Sequence, residues 1–317
     1  MSKRHHILII DEVHPILLDK LAEHDVTYLP SISIGDLEEN LSGVTILVLR
    51  SKLVFDKSWI DKADTLEFIG RLGSGMDNID VTYAKTKGIE CMNAPEGNRN
   101  AVAEQTVGMI LGMLSNIYKA TNEVQMGLWD RKGNQGVELK NMTVGIIGYG
   151  NVGSTLANKL SSFGCKVVAY DKFVKSFGNS IVEEVSLEEL QVESDIITLH
   201  VPLNRYSKEM VDSTFIEKVC KPFFLLNLAR GEVVNIVDVI SGLRSGKIKG
   251  AALDVLPNEK LNKLSVKEKL EFDFLTDNER VIITPHIGGL TKDSYLGLAN
   301  VLAEKIINWV NINPLVN

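Results

Sequence analysis

Three stretches in the last third of the chain place charged or titratable side chains just past apolar runs. "LLNLARGEVV" carries Arg230, "AALDVLPNEK" carries Asp254 and Glu259, and "VIITPHIGGLT" carries His286 followed by Gly288 and Gly289. Histidine is the side chain whose ordinary pKa lets it take and return a proton near neutral pH. A carboxylate beside it, Glu259, would hold the ring in one orientation. The guanidinium of Arg230 would fork onto a carboxylate or keto oxygen. Gly288 and Gly289 would let the backbone come close to a ligand. Each residue has a plainer reading: a turn histidine, a solvated loop acid, an arginine that caps a helix. Their recurrence at successive strand ends favours the chemical one. Together they suit handling of a hydroxyl proton on an acidic substrate.

A partner for that chemistry is signalled upstream. Val144 to Ile147 is an apolar, β-branched run of the kind that forms a buried parallel strand. Gly148, Gly150 and Gly153 follow with the spacing G-x-G-x-x-G, and then Val152, Leu156, Leu160 and Phe163 recur at helical steps. In such a turn one glycine makes the bend, one admits a pyrophosphate and one lets helix and strand pack closely. The helix start, at Asn151 and Val152, offers backbone N–H groups and a positive dipole end. A second strand-like run, Lys166 to Tyr170, ends in Asp171, 18 residues past Gly153. An acid there accepts from a ribose 2′-hydroxyl and repels a 2′-phosphate, which predicts NAD rather than NADP. A nicotinamide cofactor performs the redox step itself. The chain must add a proton carrier, a cation for the acid and the exclusion of water.

The elements that hold these residues read as two α/β domains. Strand-like runs at His6–Ile10, Val26–Leu29, Ile46–Leu49, Leu66–Arg71 and Ile89–Asn93 alternate with helical patterns such as Pro15–Glu23 and Val81–Lys87. One long apolar helix is expected over about residues 100–120, then a polar stretch up to the glycine turn. Beyond the turn, Asp195–His200, Phe223–Leu228, Gly250–Val255 and Val281–Thr284 complete an expected six-strand doubly wound sheet. The final amphipathic pattern, "LANVLAEKIINWV", would return to the first domain. The predicted fold is therefore α/β: a flavodoxin-like substrate domain, residues 1–97 and 291–317, interrupted by a Rossmann NAD-binding domain, residues 98–290. Two doubly wound parallel sheets result, with the chemistry expected in the cleft between the domains.

Composition excludes several alternatives. A net charge of −7 without a basic block argues against nucleic acid as a partner. No apolar run approaches a membrane span. The opening "MSKRHHILIIDE" reads as a first strand and not a signal peptide, because its apolar run stops at Asp11. Cys91, Cys165 and Cys220 are odd in number and scattered. They predict reduced thiols in a cytoplasmic protein, with no disulfide frame and no metal site. His200 in "TLHVPL" reads as structural, and His5, His6, His14 and His24 as surface or strand residues.

The pieces "GRLGSGMDNID", "NAPEGNRNAVAE", "VGIIGYGNVG", "LHVPL", "NLARGEVV", "AALDV" and "TPHIGG" together resemble the D-isomer-specific 2-hydroxyacid dehydrogenase family over nearly the full length. The resemblance implies hydride transfer between a D-2-hydroxy acid and NAD. It puts the catalytic residues on Arg230, Glu259 and His286, the ribose acid on Asp171 and the nicotinamide-amide partner on Asp254. Further cofactor contacts would fall on Ser74, Val201, Pro202, Leu228, Ala229, Arg230, His286, Gly288 and Gly289. Backbone N–H groups at Ser74 and Gly75 would take the substrate carboxylate. Family members are usually homodimers, with the long helix and the segment after it at the interface. Within the family the likeness is to the phosphoglycerate dehydrogenases of serine biosynthesis, whose basic substrate residues match Arg50, Arg71 and Arg131. The same resemblance leaves glyoxylate or hydroxypyruvate reduction and D-lactate dehydrogenation as alternatives, and a non-catalytic NAD-sensing protein as a third reading. Lys260 stands where many members have proline, and the stretch "LNKLSVKEKLEFDFLTDNE" is a longer loop than usual. The C-terminal regulatory domain of many phosphoglycerate dehydrogenases is not expected within these 317 residues.

Overall fold

The computed structural model describes residues 4–314. The chain divides into two compact units, residues 1–99 with 290–317, and residues 100–289. The ends of the first unit's two segments, 1–3 and 315–317, lie outside the described residues.

The first unit is built on five strands: β1 (His6–Ile9), β2 (Asp25–Tyr28), β3 (Ile46–Leu49), β4 (Phe68–Arg71) and β5 (Glu90–Asn93). Helices α1 (Pro15–Leu21), α2 (Ile34–Leu37), α3 (Lys57–Ile60) and α4 (Val81–Thr86) alternate with them. All pairings are parallel in the order β2-β1-β3-β4-β5, the flavodoxin-like arrangement. Successive side chains of a strand point to opposite faces, and here both faces are covered. Leu8, Leu47, Leu49 and Ile69 join one apolar cluster. Ile7, Ile9, Ile46, Val48 and Phe68 join the other, against Leu298, Leu302 and Ile306 of the C-terminal helix. Such two-sided burial explains why β3 is apolar throughout, whereas the edge strand β2 is partly exposed along its length. Two of the histidines differ from their sequence reading. His5 is buried, with Nδ1 3.2 Å from Thr45 Oγ1 and Nε2 3.1 Å from the Asn313 carbonyl. His14 caps α1, its Nδ1 accepting from the Ile16 N–H.

The second unit opens with the apolar region. Two helices stand there instead of the one expected: α5 (Arg99–Leu114) and α6 (Ile117–Gln125). Asn116 between them has φ +54°, and asparagine is among the few residues that tolerate this region. The break folds Tyr118 back over Gly112, where a Cβ would sit 2.4 Å from the ring. The sheet follows: β6 (Thr143–Ile147), β7 (Lys166–Tyr170), β8 (Glu183–Glu184), β9 (Ile196–Leu199), β10 (Phe223–Asn227), β11 (Ile248–Leu253) and β12 (Val281–Ile283). Its order is β12-β11-β10-β9-β6-β7-β8, all parallel. The dinucleotide-binding order 3-2-1-4-5-6 lies within it. There are seven strands instead of six, because the two glutamates of β8 pair with β7 at the edge. Helices α7 (Asn151–Leu160), α8 (Leu187–Glu193), α9 (Ser213–Lys218), α10 (Ile236–Ser245) and α11 (Val266–Thr276) complete the unit. The long loop expected after Glu259 is thus largely helix α11, opened by a reciprocal capping box between Ser265 and Glu268.

Helix α12 (Lys292–Ile312) belongs to the first unit. It approaches closely there because Gly97 and Gly297 face each other, a Cβ on Gly297 falling 2.5 Å from the Gly97 carbonyl oxygen. Lys305 then reaches the carboxylate of Glu96 at 2.9 Å. Among the described residues, no helix is long and apolar enough to cross a membrane. The thiols of Cys91, Cys165 and Cys220 are free.

Candidate active site

In the second unit the singled-out residues stand at the carboxyl ends of parallel strands, the ligand-binding edge of such sheets. The glycine turn joins β6 to α7, and its three glycines differ in surroundings. Gly148 has φ +99°, and a Cβ on it would fall 2.4 Å from the carbonyl oxygen of His200. A Cβ on Gly153 would fall 2.0 Å from the Gly148 oxygen, so helix and turn touch there. Gly150 has nothing within 4 Å of that position, and it caps α7 with no side chain of its own. Open space at the start of a helix is what a pyrophosphate needs. Asp171, past β7, accepts from the Tyr149 N–H at 2.8 Å through one oxygen and from the Phe173 and Val174 N–H groups through the other. The carboxylate thus ties the glycine turn to the neighbouring strand end. These residues fit the adenosine diphosphate half of a dinucleotide.

The next strand ends carry His200, Val201 and Pro202. Burial pushes the His200 imidazole down to about 3. Its Nε2 lies 2.9 Å from Thr198 Oγ1, and its backbone N–H continues the sheet by donating to the Ile147 carbonyl. A ring held neutral this way is a structural group. Val201 packs by the Gly148 turn.

Three loops bring together the remaining residues. After β10, the fully buried Asn227 side chain accepts from the Ala229 N–H and donates to the Arg230 carbonyl, which shapes the Leu228–Arg230 bend. Gly231 then presses on the next loop, where a Cβ would lie 2.0 Å from the Leu256 carbonyl carbon. That contact sets the Arg230 loop against the Asp254–Glu259 loop. After β12, His286 adopts φ +54°, unusual for a residue with a side chain. Its backbone N–H donates to the Asp254 carbonyl at 2.8 Å. Its ring Nδ1 lies 2.9 and 3.1 Å from the two oxygens of Glu259. Facing a carboxylate, Nδ1 carries the proton and donates, which leaves Nε2 to exchange one. Both side chains are about half exposed, at 47% each, so the pair is open to a ligand.

Asp254 is buried to 2% exposure and accepts from Gln105, Thr284, Ile287 and Gly288. Gly288 has no room for a side chain: a Cβ would lie 2.9 Å from Asp254 Oδ2. Gly289 is half-buried at the end of the same loop.

In the first unit, Arg50 follows β3 and Arg71 ends β4. The Arg50 N–H donates to Asp11 Oδ2 at 2.6 Å, bridging β1 and β3, where the strand order reverses. The Arg71 guanidinium lies over Gly73, so near that a Cβ there would be 1.5 Å from Nη1. The Ser74–Gly75 loop is pinned by Asn93, which donates to the Ser74 carbonyl, and by a hydroxyl bond from Ser74 to Asn98. Arg131 stands elsewhere. It lies exposed in the second unit, on a turn that Asp130 caps by accepting from the Lys132 and Gly133 N–H groups. Of the three expected phosphate ligands, two therefore share a unit and the third does not.

Further residues hold these groups in place. Asn227 was legible as a polar residue closing a fully apolar strand. Gln105 and Thr284 reach Asp254 from residues far away in sequence and have no local signature. Tyr295 packs its ring 5.6 Å from that of His14. Its phenol is pushed up mainly by burial, then by Tyr28 and Glu12, while Arg50 opposes the shift.

Comparison with known proteins finds relatives in sequence and in fold. The NAD-binding domain of D-isomer specific 2-hydroxyacid dehydrogenases matches residues 107–288. D-3-phosphoglycerate dehydrogenase of Methanocaldococcus jannaschii is 34% identical over 308 residues, which is 95% of this chain and 56% of that protein. The chain thus spans little more than half the length of that relative. Hydroxypyruvate reductase of Thermotoga maritima is 34% identical over 277 residues, covering 87% of this chain and 88% of that one. The crystal structure of D-lactate dehydrogenase from Aquifex aeolicus, complexed with NAD and lactic acid, superposes with a TM-score of 0.83 at 25% identity over 97% of this chain and 96% of its own. The chain belongs to the D-isomer-specific 2-hydroxyacid dehydrogenase family.

Proposed function

We propose that the protein transfers a hydride between a D-2-hydroxy acid and NAD, with D-3-phosphoglycerate, oxidised to 3-phosphohydroxypyruvate, as the preferred substrate. The carrying observation is the His286–Glu259 pair at 2.9 Å, set beside the Arg230 loop by Gly231. A bound nicotinamide would supply the acceptor or donor for the hydride at C2 of the acid. His286 Nε2 takes the hydroxyl proton in the oxidative direction and gives it back in the reductive one. Glu259 holds the ring so that Nε2 points outward, and Arg230 holds the carboxylate. Ser74, Gly148, Gly150, Asn151, Val152, Gly153, Asp171, Val201, Pro202, Leu228, Ala229, Asp254, Gly288 and Gly289 would hold the cofactor. Ser74 and Gly75 also receive the substrate carboxylate, and Arg50, Arg71 and Arg131 its phosphate.

A second reading is the reduction of unphosphorylated hydroxypyruvate. The likeness to a hydroxypyruvate reductase over most of both chains favours it. Absorbance of NADH, followed with phosphorylated and unphosphorylated 2-hydroxy and 2-keto acids, separates the two. Higher kcat/KM for the phosphorylated member supports the first reading, and higher kcat/KM for hydroxypyruvate supports the second. No change with any acid sinks both and leaves a binding protein.

The same reading includes a homodimer in a reducing, cytoplasmic setting. Met126, Leu128, Trp129 and Val137, clustered after α6, are large apolar residues at least half exposed. Exposed apolar residues of this kind suit a second copy of the chain. Sedimentation equilibrium at the mass of a single chain would end that part of the reading.

A further inference from the structure

Asp254 is held from several directions. Oδ1 accepts from Gln105 Nε2 at 2.9 Å, from Thr284 Oγ1 at 2.5 Å and from the Ile287 N–H at 2.9 Å. Oδ2 accepts from the Gly288 N–H at 2.8 Å. Gln105 Nε2 is also 3.1 Å from Thr284 Oγ1, so amide, hydroxyl and carboxylate close a small ring of polar groups. A carboxylate has about four lone-pair sites, and four donors of the same chain meet this one. A buried carboxylate requires such partners. The arrangement joins three places in the fold: Gln105 lies on α5, Asp254 directly follows β11, and Thr284, Ile287 and Gly288 belong to the loop after β12.

His286 is at the centre of that loop. Its backbone is in the left-handed region, which a residue with a side chain keeps only when its surroundings hold it. The hold is visible: its N–H goes to the Asp254 carbonyl, and the next two N–H groups go to the Asp254 side chain. Three consecutive backbone donors therefore end on one residue. The orientation of the His286 ring toward Glu259 follows from that backbone. Among Asp254's side-chain partners, Gln105 alone lies outside the loop it fixes and the residue that leads into it.

We infer that Gln105 is a positioning residue for His286, its side-chain amide anchoring Asp254 and Thr284 to helix α5 and so holding the histidine loop in register with Glu259. The inference rests on the assignment of His286 as proton carrier. A glutamine suits the place because its amide donates without adding charge next to a buried carboxylate. A leucine there would keep the volume and lose the donor, and a glutamate would set two carboxylates against each other.

Gln105→Leu is compared with the unmodified protein and with Gln105→His, which keeps a ring N–H donor. Three quantities are read: kcat against KM for the preferred acid, the dissociation constant of NADH by fluorescence, and the ring 15N shifts of His286 at alkaline pH. Those shifts report which nitrogen carries the proton. Displacing a catalytic group by about 1 Å can cost roughly a hundredfold, so kcat of Gln105→Leu should fall about ten- to a hundredfold. KM and NADH affinity should stay within about threefold. The 15N shifts should leave the Nδ1–H form for a mixture, and Gln105→His should recover part of kcat and of the shifts. If Gln105→Leu does not fold, Thr284→Val removes the other side-chain donor to Oδ1 and is read the same way. Unchanged kcat overturns the inference. So does a fall in kcat with the His286 shifts unmoved, which would make Gln105 a packing residue only. If the unmodified protein turns over no acid, the dehydrogenase reading fails, and the 15N shifts still decide whether Gln105 sets the histidine.

Discussion

At the scale of single residues, His286 and His200 show how environment divides roles between two like side chains. His286 is half exposed with a carboxylate on Nδ1, whereas burial holds the His200 ring neutral. Replacing His286 by Asn should cut turnover by about a hundred- to ten-thousandfold while NADH binding stays nearly intact, because general acid–base catalysis supplies about that much. Stopped-flow turnover and fluorescence titration check the two halves separately, and equal losses in both would argue against a proton-carrying role. For His200 the consequence is in stability. Its folded-state pKa, about 3, lies below the ordinary 6.5. Between those values the unfolded chain binds the proton and the folded chain does not. The contribution is therefore complete above about pH 6.5 and is lost as pH falls through that window, by at most about 1.4 kcal/mol per pH unit. Urea unfolding of His200→Gln should show a flatter pH dependence than the unmodified chain between pH 6.5 and 5, and parallel curves would refute the burial account. His24 shifts in the same direction, so the comparison with the variant is the informative one.

At the scale of elements, what was legible depended on whether a rule is local. Strands such as β3 and β9 are buried on both faces and announce themselves as apolar runs. The glycine turn is recognisable because each glycine answers a different steric need within six residues. Strand β8 is two glutamates paired at an edge, with no apolar run to reveal it. The break at Asn116 interrupts no periodicity, since apolar residues continue on either side of it. Helix α11 was readable in principle from the "SVKE" that forms its capping box. The Gln105–Asp254 bond joins residues 149 apart and has no sequence signature at all. Asp171 shows what a short-range reading can support. Its carboxylate joins the glycine turn to β7, and a 2′-phosphate beside it would be repelled. NAD should therefore be strongly preferred over NADP in kcat/KM, and Asp171→Ala should narrow the ratio. Equal use of both cofactors by the unmodified chain would contradict the assignment.

At the scale of the whole molecule, each unit carries part of the proposed machinery. The proton carrier, its acid and Arg230 stand on one unit, and Arg50, Arg71 and the Ser74–Gly75 loop on the other. Charge-assisted hydrogen bonds are worth roughly 1.5–3 kcal/mol. Arg50→Ala and Arg71→Ala should each lower kcat/KM for phosphoglycerate about ten- to a hundredfold, and for an unphosphorylated analogue far less. Equal losses on both substrates would move the account to the hydroxypyruvate reading. The central claim, a hydride moved to or from C2 of a D-acid with His286 supplying the proton, is tested most directly by isotope transfer. The protein is supplied with NADH deuterated at the transferable position and with 3-phosphohydroxypyruvate or hydroxypyruvate, and the product is read by mass spectrometry and chiral analysis. The account requires one deuterium at C2 in the D configuration, and almost none with His286→Asn. Product without deuterium, product of the L configuration, or full transfer by His286→Asn would contradict it.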